Sequence, residues 1–216
     1  MAYEKTEVYK YLVYLKKYLL GDLELFHKLA IDAEKAESET IFRTPKITII
    51  PTTQYPFSFN FIYGAQLISR STIPHTSVLF STIDILGFLN RTGTDFDKTT
   101  KNFKEFFESL NQSVNEEQLS VLIKVYRHGI THSYFPKLGV TISYHSTNPP
   151  EKIMFKNEYG NLVLNVNFLE NVVTKRLNEM MNDLQKYTNM DKQYIILVDK
   201  YEKVCRSEIE SIKRSL

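Results

Sequence analysis

Several kinds of residue are scarce in this 216-residue sequence, and each shortage excludes a class of protein. The single cysteine, Cys205, excludes an internal disulfide and any zinc site built from several cysteines, and its place in an amphipathic pattern predicts a small core residue. No apolar run reaches the roughly 18 residues of a membrane span, so we expect no membrane partner. Seven glycines and seven prolines are few helix breakers, which favours long helices.

Familiar enzyme fingerprints are also missing. The sequence has no Gly-rich phosphate loop, no GxSxG turn and no HExxH pair. Its 27 basic and 25 acidic residues give a net charge of +2, so any nucleic-acid site must be a local feature. The residues after Met1 are polar and lack the basic start and apolar core of a secretory signal, and we expect the protein to stay in the cytoplasm.

Residues 1–72 are predicted to form an N-terminal helical hairpin and an irregular segment, both packed on the core. Apolar residues recur at helical spacing over 4–20 and again in the stretch that follows. Gly21 and Asp22 can end the first helix and cap the second. Residues 40–71 show mixed strand signals, with the clearest at 46–50, and are interpreted as irregular.

Residues 73–216 are predicted to form a helical bundle interrupted by a small sheet. Helical spacing predicts a helix over about 76–90, one over about 98–110, one that begins at Asn115 and two at the C-terminal end. Period-two alternation at about 139–166 predicts three short strands in an antiparallel β-meander. The predicted fold class is therefore mainly α, with the meander inserted after the helix that begins at Asn115.

One acidic residue is unusual on the helix predicted for 76–90. Asp84 points away from the main apolar stripe and lies between Phe80 and Phe88, with Gly87 beside it. A half-buried carboxylate in such surroundings requires a partner. The alternative is a solvated Asp in a groove between helices.

The most informative segment is the end of the helix that begins at Asn115, where Arg127, His128 and His132 lie close together. An Arg brings a permanent planar charge that matches phosphate oxygens, and an imidazole exchanges protons near neutral pH. An ideal α-helix places Arg127 and His132 about 140° apart, but Gly129 can loosen the helix end and bring them together. Asp84 is the natural counter-ion of Arg127 or orienter of a histidine. These residue types suit phosphodiester chemistry without a metal.

The segment from Arg127 to His132 resembles the Arg-x4-His motif of the HEPN superfamily of all-helical domains. Ser133 and Tyr134 extend it to the Arg-x4-His-x-Tyr variant found in HEPN toxins that are paired with nucleotidyltransferase antitoxins. The resemblance covers about 76–187, and the β-meander is a departure from it. It implies a HEPN-like helical bundle, metal-independent cleavage of RNA in stress or phage defence, no cofactor, and a homodimer with two motifs across a two-fold axis.

The resemblance also implies a role for each motif residue. His132 takes the proton of an RNA 2′-hydroxyl or protonates the leaving oxygen, and Arg127 stabilises the charge of the phosphorane. His128 assists by hydrogen bonding, and Asp84 fixes Arg127. The products carry 2′,3′-cyclic phosphates. In the paired toxins the antitoxin modifies the tyrosine, so Tyr134 is a candidate modification site.

Other interpretations of these residues remain open. Basic side chains near the motif are predicted to contact RNA, although a solvated helix face is the alternative; they are Lys98, Lys101, Lys124 and Lys137. His128 and His132 also have the spacing of a metal-binding pair, with Asp84, His75 or His145 as a third ligand, but the sequence places none of these nearby and we predict no metal. The alternative function is a catalytically inactive HEPN-like dimer that binds a nucleotide, RNA or a protein partner.

Overall fold

The fold was obtained as a computed structural model, and it is mainly helical, as predicted. The structure describes residues 2–41, 59–93, 98–110, 114–133, 140–143, 151–156, 160, 162–186, 199–200 and 213–214. In chain order, the named elements are α1 (Ala2–Ile41), α2 (Phe59–Asn90), α3 (Thr99–Glu108), α4 (Glu116–Val121), a π-helical segment (Leu122–Arg127), α5 (His128–Ser133), β1 (Val140–Ser143), β2 (Met154–Lys156), β3 (Leu162–Asn165) and α6 (Val166–Lys186). In this part of the chain no helix is both long enough and apolar enough to cross a bilayer.

The first helix, α1, is continuous, so the predicted N-terminal hairpin is wrong. Gly21 lies in its middle, and its backbone stays outside the left-handed region that ends many helices. A glycine inside a helix costs only about 1 kcal/mol relative to alanine. Burial of Leu12, Leu19 and Leu23 on one side of α1 exceeds that cost.

The second helix, α2, begins at Phe59 and not after Pro74, so the irregular interpretation of 40–71 is wrong from Phe59 onward. The strand pattern at 46–50 lies outside the described residues. Pro74 lies inside α2 although proline lacks an N–H for the helix ladder. Its neighbours Ile73 and His75 are buried, and this packing offsets the lost hydrogen bond.

The chain divides into two compact units, and the predicted boundary at residue 72 lies inside α2. Unit 1 comprises residues 1–19, 79–123 and 171–216, and unit 2 comprises residues 20–78 and 124–170. Both units therefore combine segments from the two sides of residue 72.

Unit 1 contains the helices that sequence periodicity predicted best. The apolar stripe of the second half of α2 is buried, and Phe80 packs against Phe103 of α3 with ring centroids 5.8 Å apart. The capping box is confirmed, because Gln118 N donates to Asn115 Oδ1 at 2.8 Å and Asn115 N donates to Gln118 Oε1 at 3.1 Å. These contacts fix where α4 begins.

Unit 2 contains the three-stranded sheet, whose strands lie where the alternation predicted them but whose topology differs. The strand order is β1-β3-β2. β1 pairs parallel to β3, with Val140 opposite Leu162, and β2 pairs antiparallel to β3, with Met154 opposite Leu164. The predicted antiparallel meander is therefore wrong. A period of two identifies strands, but it contains no information on which strand takes the central position.

Candidate functional site

The motif found in the sequence lies where the π-helical segment meets α5. Arg127 is the last residue of the π-helical segment and is half-buried. His128 begins α5 and is exposed. π-Helical turns are rare and occur frequently at functional sites, because the wider turn re-aims the side chains that follow it.

Buried residues on both sides of Arg127 anchor the motif within unit 2. Tyr126 is fully buried, and its hydroxyl donates to the carbonyl oxygen of Leu162 on β3 at 3.2 Å. Burial raises the pKa of Tyr126, which keeps this donor protonated. Ile130 is buried one turn later. The apolar side of the helix end is thus fixed, while Arg127 and His128 keep access to solvent.

Several predicted site residues lie outside the described part of the structure. The backbone of His132 belongs to α5, but its side chain is outside the described residues. Four further residues lie entirely outside the described residues: Tyr134, Lys137, His145 and Cys205. Their roles stay predictions.

Asp84 is buried and hydrogen-bonded, as its surroundings predicted. Its carboxylate accepts from Asn102 Nδ2 at 2.8 Å and from Thr99 Oγ1 at 3.3 Å. Both donors belong to the α3 region of unit 1. The proposed action of Asp84 on Arg127, which belongs to unit 2, stays a prediction.

A buried polar network around Asn102 was not predicted from the sequence. Besides donating to Asp84, Asn102 accepts from Arg91 Nε through its side-chain oxygen. Gly87 lies one turn after Asp84 on the same face of α2, and a β-carbon there would overlap the backbone carbonyl of Asn102. The glycine is therefore required for the close approach of α2 and α3.

Basic residues gather at the C-terminal end of α2 in unit 1. Lys200 is buried, lies over the ring of Phe88 at 5.2 Å and donates to the carbonyl oxygens of Phe88 at 2.6 Å and Leu89 at 3.4 Å. The guanidinium carbon of Arg91 also lies over this ring, 5.4 Å from its centroid. Burial, with Arg91 nearby, lowers the pKa of Lys200 to about 8. A sequence signal existed, because Lys200 stands on the apolar stripe between Leu197 and Val204.

A second polar chain extends this cluster. Arg176 Nη2 of α6 donates to Asn90 Oδ1 at 2.7 Å, and Asn90 Nδ2 donates to Glu105 Oε1 at 2.8 Å. Arg176 Nη1 also lies 3.6 Å from a carboxylate oxygen of Glu179. These contacts connect α2, α3 and α6, and they fit a structural role at the end of α2.

The predicted RNA-contacting lysines that the structure describes are exposed. Lys98 and Lys101 belong to unit 1, and Lys124 belongs to the π-helical segment in unit 2. The neighbouring Lys104 pairs with Glu116 at 3.2 Å, which raises its pKa. Exposure fits both contact with RNA and a solvated helix face.

One of the histidines considered as a third metal ligand is buried in unit 2. His75 Nε2 lies 3.1 Å from Glu170 Oε2, and its ring stacks on Phe26 at 5.7 Å. Over the described ranges, no three His, Cys, Asp or Glu side chains are grouped so that they could hold a metal ion.

Comparison with known proteins identifies no relative of this chain. No protein-family model, curated protein or solved structure matches the chain. The functional assignment therefore depends on the motif residues and on their placement at the junction of the π-helical segment and α5.

Proposed function

We propose that this protein is a HEPN-like, metal-independent endoribonuclease that acts on cytoplasmic RNA. The observation that supports this most is the position of Arg127, half-buried at the end of a π-helical segment and directly before the helix with His128 and His132. A rare helical distortion next to a permanent cation and two imidazoles is typical of a functional site.

The reaction needs no group beyond these side chains, the substrate and solvent water. The 2′-oxygen of one nucleotide attacks the adjacent phosphorus, the bond from phosphorus to the 5′-oxygen breaks, and a 2′,3′-cyclic phosphate and a 5′-hydroxyl result. His132 takes the 2′-proton or donates a proton to the leaving oxygen, and solvent water accepts or supplies the other proton. The Arg127 guanidinium binds the non-bridging oxygens, whose negative charge increases in the phosphorane. His128 assists by hydrogen bonding.

Binding of the RNA strand is assigned to the four lysines that the sequence predicted. Lys98, Lys101, Lys124 and Lys137 neutralise backbone phosphates, so binding should weaken as the salt concentration rises. We further propose a homodimer that brings two motifs together. Tyr134 is the proposed site at which a nucleotidyltransferase antitoxin would act.

The test is RNA cleavage by the purified protein in excess chelator. Wild type should produce fragments with 2′,3′-cyclic phosphate ends, and Arg127→Ala and His132→Ala should each abolish them. Thr131→Ala is the matched control, because Thr131 is exposed on the same helix and has no assigned role. RNA left equally intact by wild type and variants contradicts the proposal. Retention of that intact RNA by wild type would support the catalytically inactive binding module.

A further inference from the structure

The part of α1 that belongs to unit 1 exposes two large aromatic side chains. Tyr14 is 59% and Tyr18 71% exposed, and their positions on the helix differ by one turn, about 6 Å along the axis. Aromatic rings normally contribute most when they are buried, as Phe103 and Phe106 are in the same unit. The rings of Tyr14 and Tyr18 are instead open to a contact from outside unit 1.

Two lysines accompany these tyrosines on the same side of the helix. Lys10 and Lys17 are exposed, and each lies within about one turn of Tyr14. At about 100° per residue the four side chains fall within an arc of about 100°, centred about 165° from the buried Leu12 and Leu19. We call these four side chains the Lys10–Tyr18 face: Lys10, Tyr14, Lys17 and Tyr18.

The Lys10–Tyr18 face carries charge of one sign. Residues 9–19 contain three lysines, four tyrosines and no acidic residue. Within the face the two lysines lie along one edge and the two tyrosines along the other, with an angle of about 70° between the edges. At the radius of the side chains this angle corresponds to about 6–7 Å. The face thus has a cationic edge and an aromatic edge that run side by side along the helix.

A single strand of nucleic acid has the complementary arrangement. Its phosphates follow one edge and its bases the other, and every base has an aromatic face on which a tyrosine ring can stack. Lysines neutralise phosphates as compact point charges. An acidic peptide would pair with the lysines but has no flat partner for the rings. A duplex keeps its bases stacked inside and would also leave the tyrosines without a contact.

We propose that the Lys10–Tyr18 face binds single-stranded nucleic acid, with Tyr14 and Tyr18 stacked on bases and Lys10 and Lys17 contacting backbone phosphates. Neither contact involves the sugar 2′-hydroxyl, so DNA and RNA strands should bind alike and with little preference for sequence. The proposed cleavage, in contrast, requires that hydroxyl. None of the four residues belongs to the motif at 127–132, and this inference does not depend on the proposed ribonuclease activity.

The first test is binding of the full chain to a labelled oligothymidylate, measured by fluorescence anisotropy. This DNA has no 2′-hydroxyl, so the proposed cleavage cannot occur and binding is measured alone. Tyr18→Leu removes the ring but keeps a large apolar side chain, and it should weaken binding by a factor of about 5 to 100. Tyr18→Phe keeps the ring and should bind like wild type. The same strand paired with oligoadenylate should bind more weakly than the single strand.

Two neighbouring lysines separate a local contact from the overall charge. Lys17→Gln removes a cation from the Lys10–Tyr18 face. Lys16→Gln is the matched control, because it removes the same charge from a half-buried position about 145° from the centre of the face. Lys17→Gln should weaken binding and reduce the slope of log affinity against log salt concentration by about 0.7, the value for one phosphate contact on a single strand. Lys16→Gln should leave affinity and slope close to those of wild type.

Photo-cross-linking identifies the stacked rings directly. An oligothymidylate that carries 5-iodouracil should cross-link to Tyr14 or Tyr18, as read by mass spectrometry of the resulting peptides. Cross-links confined to other residues overturn the proposal, and so does equal binding by wild type, Tyr18→Leu and Lys17→Gln. Failure of wild type to bind the oligothymidylate also overturns it. Binding to phosphatidylserine vesicles in that case would assign the face to a membrane surface instead.

Discussion

Asn102 on α3 lies directly against Gly87 on α2, with its backbone carbonyl oxygen where a β-carbon of residue 87 would stand. Its side chain donates to Asp84 at 2.8 Å and accepts from Arg91 Nε. Positions 84 and 87 are neighbours on one face of α2, and Arg91 follows the helix directly, with its N–H donating to the Gly87 carbonyl at 3.0 Å. A single residue of α3 thus contacts Asp84 and Gly87 of α2 and Arg91 directly after the helix.

The first prediction concerns the close approach at Gly87. Gly87→Ala should lower the free energy of unfolding by about 1–3 kcal/mol or more, because the methyl group overlaps backbone that cannot rotate away. Gly21→Ala is the matched control, since its added methyl group meets open space inside α1. That variant should be more stable than wild type by about 0.5–1 kcal/mol. Urea unfolding measures both, and equal effects of the two substitutions would contradict the structure.

The second prediction separates the structural contacts of Asp84 from its proposed action on Arg127. Asp84→Ala leaves the Asn102 amide without a buried acceptor and should cost about 1–3 kcal/mol of unfolding free energy. A double-mutant cycle with Asn102→Ala should give a coupling of about 0.5–3 kcal/mol.

RNA cleavage by the same two variants, measured where both are folded, then tests the catalytic assignment. Asp84→Ala should lose more activity than Asn102→Ala if Asp84 positions Arg127. Equal losses would limit Asp84 to the packing of α2 against α3.

The third prediction concerns stability above pH 8. The pKa of Lys200 is lowered to about 8 in the folded protein from 10.5, so between these values the unfolded chain binds more protons. The free energy of unfolding contributed by this group therefore increases as pH rises from about 8 towards 10.5, and this increase is lost again as pH falls through 8.

Comparison with Lys200→Met isolates this effect from other groups that titrate in the same range. The variant also loses the hydrogen bonds to the Phe88 and Leu89 carbonyls, which gives an offset that does not depend on pH. The stability of wild type minus that of the variant, measured by denaturant unfolding from pH 7 to 10, should grow with pH. A flat difference would show that the Lys200 amine is not desolvated.

The fourth prediction concerns the anchor before the motif. Tyr126→Phe removes the hydrogen bond to the Leu162 carbonyl and should cost about 0.5–1.5 kcal/mol of unfolding free energy while leaving the ring packed. Hydrogen exchange should then increase at β3, which loses this contact. An unchanged exchange pattern would show that the hydroxyl does not connect the π-helical segment to the sheet.

The sequence predicted features that depend on near neighbours and missed those that depend on distant ones. The Asn115 and Gln118 capping box spans three residues, so its pattern is sufficient to predict it. The burial of Asp84 followed from Phe80 and Phe88 one turn away on either side. Its partner Asn102 lies 18 residues along the chain, and no periodicity indicates which polar residue of α3 faces it.

The course of the helices at Gly21 and at Leu122–Arg127 also differs from what the sequence predicts. Gly21 was interpreted as a break, but a glycine ends a helix only where the backbone turns left-handed, and tertiary packing decides that. The sequence pattern does not predict the π-helical segment at Leu122–Arg127, because its apolar residues fit the period of an ordinary α-helix equally well. For the motif itself, the residue types predict a chemistry, whereas the π-helical turn that ends at Arg127 is found only in the structure.

The strand order β1-β3-β2 also has a consequence for how the protein folds. β2 and β3 are close in sequence, so their antiparallel pair closes a short loop, whereas Val140 reaches Leu162 across 22 residues. Since longer loops cost more entropy to close, we expect the local pair to form first and to serve as a template for β1. The strand that follows α5 is then the last to be added. The helix end that bears Arg127 is held to β3 by the Tyr126 hydroxyl, so we expect it to dock on the early pair of β2 and β3 before β1 is added.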